Sequence, residues 1–235
     1  GLNSIEIDAA KSIIEKFSDT LISYNKDDYR AVQKTVMTLT VTDETPIRSK
    51  PFNQGLGLNK QQHEAIQDML RKGIIAPLET SKPCFISSNF MVPKNSDQKR
   101  KDKSETKVYR MVTDFQPVNS RLSPDLVNPH EVKGVNSLLC KLGEMVGSSN
   151  DVYYTCIDFR NFFHSIVVAE ESRKYLCIQD AFDSAVYAYC SVPLGLSISP
   201  SVCGEILRKG LSEETKKHCI IHLDDVLVVN SGLEN

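Results

Sequence analysis

The 235-residue sequence lacks the features that define several large classes of protein. No apolar run approaches the ~18–20 residues that a membrane-spanning helix needs, and the first residues lack the apolar core of a signal peptide. The sequence also contains no internal repeat and no low-complexity segment. Its composition, 40% hydrophobic and 25% charged, is that of a folded domain. We therefore expect a soluble, intracellular protein rather than a fibrous, disordered or membrane-spanning one.

Cysteine pairs that would indicate zinc binding or a disulfide framework are missing as well. The seven cysteines include no C-x-x-C pair, and the five histidines show no zinc spacing with them. Because most of the cysteines lie in apolar runs, we expect reduced thiols buried as small hydrophobic side chains. The segment Gly55-Leu-Gly57 does not predict a phosphate-binding loop, since no Lys followed by Ser or Thr comes after it.

Positive charge is scarce over the whole chain but concentrated in one segment. The net charge is −2 and the pI about 6.2, which argues against a generally cationic nucleic-acid binder. From Pro93 to Arg110, however, seven Lys or Arg residues stand against three Asp or Glu. Such a run is usually a solvated loop; the alternative is a loop, spanning residues 95–107, that contacts phosphate groups.

Hydrophobic periodicity predicts a mixture of helices and strands. Helices are expected over residues 5–24, 58–72 (with Asn59 as N-cap), 131–145 and from Ser199 to about Gly210. Strands are expected at 86–93, 107–114, Val152–Asp158, Lys174–Gln179, Ala185–Val192, Cys219–Leu223 and Val226–Val229. The absence of a regular βαβ repeat favours an α+β fold. We expect residues 1–50 to form an N-terminal arm or lead-in and residues 51–235 to form the main domain.

The segment Ile220–Val229 predicts two apolar strands joined by a tight turn that contains Asp224 and Asp225. Two-residue hairpin turns prefer Asn-Gly or Asp-Gly, so two adjacent carboxylates add a repulsion that a cation would relieve. The alternative is an acidic surface turn.

A second aspartate, Asp158, ends the apolar strand that begins at Val152. By itself it could equally be a helix cap. If Asp158 lies beside Asp224 and Asp225, three hard oxygen donors would suit Mg²⁺, and two such ions can promote phosphoryl transfer. This chemistry fits both a nuclease and a polymerase.

Six sequence blocks, which follow one another in a fixed order along the chain, favour the polymerase over the nuclease. From about Pro51 to Val229 the chain resembles the reverse transcriptases of LTR retroelements, with the gypsy-type retrotransposon pattern the most similar. The blocks are Leu70-Arg-Lys-Gly-Ile-Ile75, Phe90-Met-Val-Pro-Lys94, Tyr109-Arg-Met-Val-Thr-Asp-Phe-Gln-Pro-Val-Asn119, Asp158 to Ile166, Val192-Pro-Leu-Gly-Leu-Ser-Ile-Ser-Pro200 and His222-Leu-Asp-Asp225.

The resemblance implies an α+β right-hand polymerase with an antiparallel palm sheet and no thumb. Fingers would cover about 51–130 and 167–192, and the palm about 131–166 and 193–235. The implied activity is that of an RNA-directed DNA polymerase, a nucleotidyltransferase that uses two Mg²⁺ ions, or Mn²⁺. Its partners would be an RNA or DNA template with a primer, deoxynucleoside triphosphates and the rest of a Pol polyprotein. It would work in the cytoplasm or in a retroelement particle.

The resemblance also assigns the carboxylates. Asp158, Asp224 and Asp225 would be the catalytic residues and the metal ligands. The backbone carbonyl of Phe159 would be a further metal ligand, and Phe159 would border the nucleotide.

Other residues would bind the incoming nucleotide and the template. Lys94 and Arg110 would contact the triphosphate, and Phe163 would exclude a ribose 2′-hydroxyl. Leu194 and Gly195 would lie against the nascent base pair and the template.

Three departures from the family pattern bear on activity. His222 replaces the usual Tyr or Phe, Gln116 stands where Arg is common, and the chain stops about ten residues after Asp225. We therefore expect the chain as given to extend primers poorly. The alternative function is that of a decayed or domesticated fragment that only binds nucleic acid or a protein.

Overall fold

The computed structural model describes residues 4–16, 35–78, 84–94, 108–126, 134–147, 151–159, 161–223 and 225–231. The chain divides into two compact units, Gly1–Arg30 and Ala31–Asn235. In the first unit, helix α1 spans Ser4–Lys16. It confirms the start of the helix predicted over 5–24, while residues 17–24 lie outside the described part of the chain.

The second unit contains five helices and ten strands among its described residues. The helices are α2 (Leu56–Arg71), α3 (Gln116–Asn119), α4 (Val135–Val146), α5 (Ser199–Gly210) and α6 (Glu213–Lys217), with 3₁₀ helices at Pro124–Leu126, Phe163–Ser165 and Glu170–Tyr175. The strands are β1 (Val36–Met37), β2 (Ile75–Pro77), β3 (Ile86–Pro93), β4 (Tyr109–Asp114), β5 (Val152–Asp158), β6 (Val167–Val168), β7 (Cys177–Gln179), β8 (Val186–Tyr189), β9 (Cys219–His222) and β10 (Asp225–Ser231). None of the helices in the described ranges is long and apolar enough to cross a membrane.

The larger sheet has five strands in the order β2-β8-β7-β3-β4. Its neighbouring strands are antiparallel except for β3 and β7, which run parallel. All four residues of β8 are buried. Next to it lies an apolar cluster made of Cys84, Ile86, Cys177, Val186 and Ala188. Burial raises the pKa of the Cys177 thiol, so this thiol stays neutral and packs as an apolar group.

The smaller sheet has three strands in the order β5-β10-β9, and all its pairs are antiparallel. Helix α4 packs on β10 and β9. From α4, the Lys141 ammonium group donates to the carbonyl of Cys219 at 2.7 Å and to that of Lys216 at 3.3 Å. The helix therefore holds the start of β9 in place. Strands β1 and β6 form a separate parallel pair.

The structure confirms the predicted α+β class and the antiparallel sheet, but two local predictions are wrong. Helix α2 begins at Leu56 with Gly55 as N-cap, and the side chain of Asn59 accepts a hydrogen bond from the Gln54 N–H instead of capping the helix. The strand predicted from Lys174 starts only at Cys177, because the preceding residues form a 3₁₀ helix. In that helix the buried hydroxyl of Ser172 accepts a hydrogen bond from the Leu39 N–H at 2.8 Å. A tertiary contact thus overrides the local strand pattern.

The expectation of buried cysteines holds for only part of the set. Cys84, Cys177, Cys203 and Cys219 are buried and Cys190 is half-buried, whereas Cys140 and Cys156 are exposed. All seven are free thiols. The two exceptions lie on α4 and β5, whose residues are mostly exposed.

Candidate active site

Two of the three predicted catalytic carboxylates lie side by side at one end of the three-stranded sheet. Asp158 is the last residue of β5, Asp225 is the first residue of β10, and the antiparallel register makes them direct partners. Direct partners have Cβ atoms about 4.5–5.5 Å apart and side chains on the same face. Both residues are exposed. The third predicted carboxylate, Asp224, lies outside the described residues.

A two-residue loop joins β9 to β10 beside this pair. His222 and Asp225 are the register partners that close the loop, and Leu223 has a left-handed backbone with φ +58°. The prediction that both aspartates lie in the turn is wrong for Asp225, because that residue pairs with both His222 and Asp158. Its place in the strand is what brings it next to Asp158.

The chemistry of the pair suits a cation. Two carboxylates on adjacent strands repel each other, and their exposed oxygens are the hard donors that Mg²⁺ prefers. Phe159 follows Asp158 directly; its ring lies 5.4 Å from that of Phe162. The residues present at this end of the sheet therefore fit a divalent cation.

Phe163, the predicted sugar-discriminating residue, is half-buried in the 3₁₀ helix Phe163–Ser165. The carbonyl of Phe163 accepts a hydrogen bond from the N–H of Ile166, which is fully buried. In turn, the carbonyl of Ile166 accepts a hydrogen bond from the Val192 N–H at 2.9 Å. The Val192–Ile166 hydrogen bond thus connects two predicted parts of the site. One is the turn that begins at Phe163, five residues after Asp158, and the other is the segment that leads to Leu194 and Gly195.

His164, the residue after Phe163, is half-buried, and its Nδ1 atom is enclosed. Burial lowers its pKa, against the opposing effect of a backbone hydrogen bond with Val192. Its Nδ1 atom has no hydrogen-bond partner in the part of the chain that the structure describes. The lowered pKa favours a neutral ring that packs against its neighbours.

Lys94 and Arg110 lie on the same face of the β3–β4 hairpin. Arg110 is the register partner of Val92, and Lys94 is two residues beyond Val92, with its N–H donating to the Val108 carbonyl at 2.9 Å. Register partners share a face, as do residues two apart on a strand, so the two cations are diagonal neighbours. Both side chains are exposed, and the pair could hold a polyanion.

The other face of this hairpin is fixed to helix α2 and the segment before it. Asn89, Met91 and Thr113 are buried there. The Gln62 side chain donates to the Asn89 carbonyl at 2.9 Å, and the Gln54 side chain donates to the Met91 carbonyl at 3.0 Å. One face of β3 and β4 is thus anchored, and the face that carries the cations is open.

A cavity of about 380 Å³ opens beside this hairpin. Its lining residues are Phe52, Phe90, Val112, Thr113, Asp114, Phe115, Gln116 and Gly195. The rings of Phe52 and Phe90 meet edge to face, with 5.2 Å between their centroids. Phe90, Val112 and Asp114 belong to the face that also carries Lys94 and Arg110. The cavity therefore combines aromatic walls with neighbouring positive charge, a combination suited to a nucleobase with its phosphates.

Gly195 closes one side of the cavity with a backbone that other residues rarely adopt. Its φ is +93°, and an added Cβ would lie 3.4 Å from the Thr113 carbonyl oxygen. Glycine is the residue that meets both conditions without strain. Leu194, its predicted companion, is exposed. Neither Asp158 nor Asp225 lines this cavity. The hydrogen bond from the Val192 N–H to the Ile166 carbonyl joins the segment that follows Asp158 to the segment that leads to Gly195.

The predicted phosphate-binding loop, residues 95–107, lies outside the described residues. Its flanks are described: Lys94 before it and Val108 after it are joined by the backbone hydrogen bond that continues the hairpin.

A second group of metal-ligand side chains joins helix α2 to the turn after β7. The Nδ1 atom of His63 lies 2.6 Å from Asp180 Oδ2 and 3.9 Å from Asp183 Oδ2. Two ligands of one tetrahedral zinc ion would stand about 3.3 Å apart at the usual bond lengths. The shorter distance is that of a charge-assisted hydrogen bond, so the group braces the fold. Sequence reasoning missed it because 117 residues separate His63 from Asp180.

Comparisons with known proteins agree with this geometry. The chain is 27% identical over 233 residues to the retrovirus-related Pol polyprotein from transposon 297 of Drosophila melanogaster, covering 99% of this chain and 20% of the polyprotein. It is 24% identical to the Pol polyprotein from transposon gypsy of the same organism, covering 94% of this chain and 20% of that protein. The chain thus spans about a fifth of the length of these relatives.

Solved structures of the prototype foamy virus protease-reverse transcriptase share the fold. The native enzyme superposes with a TM-score of 0.73 at 17% identity, over 97% of this chain and 27% of that chain. The foamy viral enzyme in complex with an RNA/DNA hybrid gives 0.73 at 15% identity, over 99% and 28%. The family model described as reverse transcriptase (RNA-dependent DNA polymerase) matches residues 92–235. Since that match covers more than half of the sequence, the chain belongs to the reverse transcriptase family.

Proposed function

We propose that this chain carries the polymerase centre of a retrotransposon reverse transcriptase. The reaction is the addition of deoxynucleotides to a primer 3′-hydroxyl on an RNA or DNA template, with release of pyrophosphate. The observation that carries the proposal is the register pairing of Asp158 with Asp225 at an exposed sheet end, in a chain that belongs to this family.

The carboxylates would hold two Mg²⁺ ions. Asp158 and Asp225 supply exposed oxygens on one face, and we assign Asp224 and the carbonyl of Phe159 as further ligands. Bound there, the metal ions supply charge that favours ionisation of the primer hydroxyl and stabilises the leaving pyrophosphate oxygen. Mn²⁺ would fit the same oxygen donors.

Lys94 and Arg110 would hold the triphosphate. They are diagonal neighbours on an exposed face, so two phosphate groups can be bound at once. Phe163 would select deoxyribose, because its ring belongs to a turn fixed by the buried Ile166. A fixed backbone at this position would keep the Phe163 ring in the space that a 2′-hydroxyl needs.

Leu194 and Gly195 would form the wall against which the new base pair and the template lie. The support is the aromatic cavity that Gly195 shares with Phe52 and Phe90. Stacking on aromatic rings contributes about 1–3 kcal/mol per base and accepts any base. Structures of the foamy viral protease-reverse transcriptase, which has a similar fold, include complexes with an RNA/DNA hybrid and with double-stranded DNA.

The two sheets support the proposed division into fingers and palm. All strands of the five-stranded sheet fall within residues 51–130 and 167–192, the proposed fingers, and all strands of the three-stranded sheet fall within 131–166 and 193–235, the proposed palm. Residues 1–50 would be a lead-in segment. The natural product would be a longer Pol polyprotein working in the cytoplasm or in a retroelement particle.

Primer extension on a homopolymer template tests the function. We expect Mg²⁺-dependent addition of the complementary deoxynucleotide, abolished by a chelator and restored by Mg²⁺ or Mn²⁺. Primer-template binding, measured in the same samples, distinguishes a polymerase from the alternative, a fragment that only binds nucleic acid. Binding without any extension, in this chain and in a longer product that contains it, would show a nucleic-acid binding protein instead of a polymerase.

A further inference from the structure

The side chain of Asn119 holds both sides of the turn that contains Gly195. Its Nδ2 atom donates to the Gly195 carbonyl at 3.0 Å, and its Oδ1 atom accepts from the Ser197 N–H at 2.9 Å. These bonds span 76 and 78 residues of sequence. A single amide group therefore connects the end of α3 to a distant part of the chain.

The turn is firmly anchored on its buried side. Leu196 and Ile198 are almost completely buried, and the buried Ser199 hydroxyl donates to the Pro193 carbonyl at 3.0 Å. On its open side the turn presents Gly195, with its left-handed backbone, to the cavity. The two bonds from Asn119 are the side-chain contacts that hold this open side among the described residues.

Asn119 is itself fixed to the opposite wall of the cavity. Its N–H donates to the Phe115 carbonyl at 2.7 Å, and Phe115 is buried against Tyr189, with ring centroids 5.9 Å apart. The neighbouring Val118 is fully buried. One wall of the cavity is thus fixed by the buried Phe115. The opposite wall, at Gly195, is held to it by the two hydrogen bonds from Asn119, so these bonds set the width of the cavity.

We propose that Asn119 is a positioning residue that sets the Gly195 wall at the distance required by a nascent base pair. The inference rests on the proposed polymerase function and adds a residue to it. Asn119 touches neither the nucleotide nor the metal ions in this proposal; it acts through the backbone of Gly195 and Ser197.

The chemistry of the contact requires a neutral group with one donor and one acceptor. An amide provides both in fixed geometry. An ionised carboxylate in its place could accept from the Ser197 N–H but would repel the Gly195 carbonyl, whereas a protonated carboxyl could donate to that carbonyl. Asn119→Asp should therefore be defective at neutral pH and recover as pH falls toward the carboxyl pKa, because the acid form restores the donor.

Single-nucleotide extension by the full chain supplies the kinetic test. For Asn119→Ala, and for Asn119→Asp at about pH 8, we expect the KM for the deoxynucleotide to rise about tenfold, with kcat changed less than about threefold, because two modest hydrogen bonds are lost. In equilibrium binding of deoxyadenosine triphosphate at about pH 4, where a carboxyl with the ordinary pKa of about 3.9 is roughly half protonated, the Asn119→Asp ratio to wild type should move toward one, while the Asn119→Ala ratio stays constant. Asn59→Asp is the matched control, because it makes the same chemical change in the first turn of α2. This variant should behave as wild type at both pH values.

Amide hydrogen exchange and equilibrium nucleotide binding test the proposal without turnover. The Ser197 N–H should be protected in wild type and lose protection in Asn119→Ala, with an unchanged melting temperature, and the affinity for deoxyadenosine triphosphate should fall about tenfold. Deprotection of Ser197 with unchanged KM and unchanged affinity would overturn the positioning role. If neither this chain nor a longer product that contains it extends a primer, the polymerase proposal fails, and the affinity ratio still decides whether Asn119 positions a nucleotide wall.

Discussion

The two main sheets of this chain differ in how much of each is buried. Every residue of β8 in the five-stranded sheet is buried, whereas five of the seven residues of β5 in the three-stranded sheet are exposed. The paired carboxylates lie on the three-stranded sheet, at the end of this exposed strand, and the apolar cluster around Cys177 lies in the five-stranded sheet. We therefore expect substitutions at the carboxylates to affect activity and substitutions in the buried strands to affect stability.

The largest effect is expected at the carboxylate pair. Asp225→Asn should reduce primer extension by about 100- to 1,000-fold, because a neutral amide holds Mg²⁺ more poorly than a carboxylate does. The melting temperature should stay within error, since Asp225 is exposed. Asp183→Asn, a change at an exposed carboxylate in the turn between β7 and β8, should leave extension unaltered. Normal extension by Asp225→Asn would break the assignment of chemistry to the smaller sheet.

Two isoleucines give a matched comparison of stability. Ile178 in β7 is fully buried, and Ile157 in β5 is 37% exposed. Ile178→Ala should lower the free energy of unfolding by about 2–5 kcal/mol, whereas Ile157→Ala should lower it by less than about 1 kcal/mol. Urea unfolding of both variants measures the difference. Equal losses would mean that the smaller sheet is as tightly packed as the larger one.

A smaller effect is expected on sugar selection. Phe163→Val should raise kcat/KM for a ribonucleotide by about 10- to 100-fold, because removing the ring opens space for a 2′-hydroxyl. The efficiency with the deoxynucleotide should change little. Competition between the two triphosphates at one template position measures the ratio, with Phe182→Val at an exposed ring as control. An unchanged ratio would remove Phe163 from the proposed gate.

The smallest effect concerns acid stability near the larger sheet. Glu44 accepts a hydrogen bond from the Tyr175 hydroxyl and pairs with Lys174 at 3.2 Å. The bond from Tyr175, assisted by Lys174, lowers the pKa of Glu44 below 4.5. The stabilisation is therefore complete above that value and is lost as pH falls through the lowered pKa.

Replacing Glu44 with Gln should slightly lower the urea midpoint at about pH 7, and the deficit should shrink as the pH falls below 4. Glu64→Gln, at an exposed position, serves as the control. A deficit that persisted unchanged in acid would show that Glu44 acts through packing and not through its charge.

Local sequence patterns predicted the elements whose structure depends on local residues. The bounds of β5 follow directly from its β-branched and aromatic run, and α5 begins where Ser199-Pro200 predicts. The start of α2 and the segment before β7 differ from prediction, because Gly55 provides the helix start and the buried Ser172 selects a 3₁₀ turn. These outcomes depend on tertiary contacts that periodicity does not contain.

The residues of the candidate site also divide into those that a local sequence pattern indicated and those that only the folded chain brings together. Short blocks of sequence located Asp158, Asp225 and Arg110, because the spacing within each block is fixed by one strand or one turn. The block from Val192 to Pro200 also indicated Gly195, but no local pattern indicated that Phe52 lines the same cavity, because the two segments meet only in the folded chain. The same holds for the bonds from Asn119, because Asn119 is 76 residues from Gly195 and 78 from Ser197 in the sequence.

The exposed thiol of Cys156 makes the smaller sheet open to chemical labelling. Cys156 is two residues before Asp158 on β5, so the two side chains share a face of the strand. A polymer lying across that face would shield the sulfur from an alkylating reagent, while the exposed Cys140 on α4 serves as an internal reference and the four buried thiols stay silent. The alkylation rate of Cys156 thus reports how much of the time this face of β5 is covered. The measurement requires no primer extension.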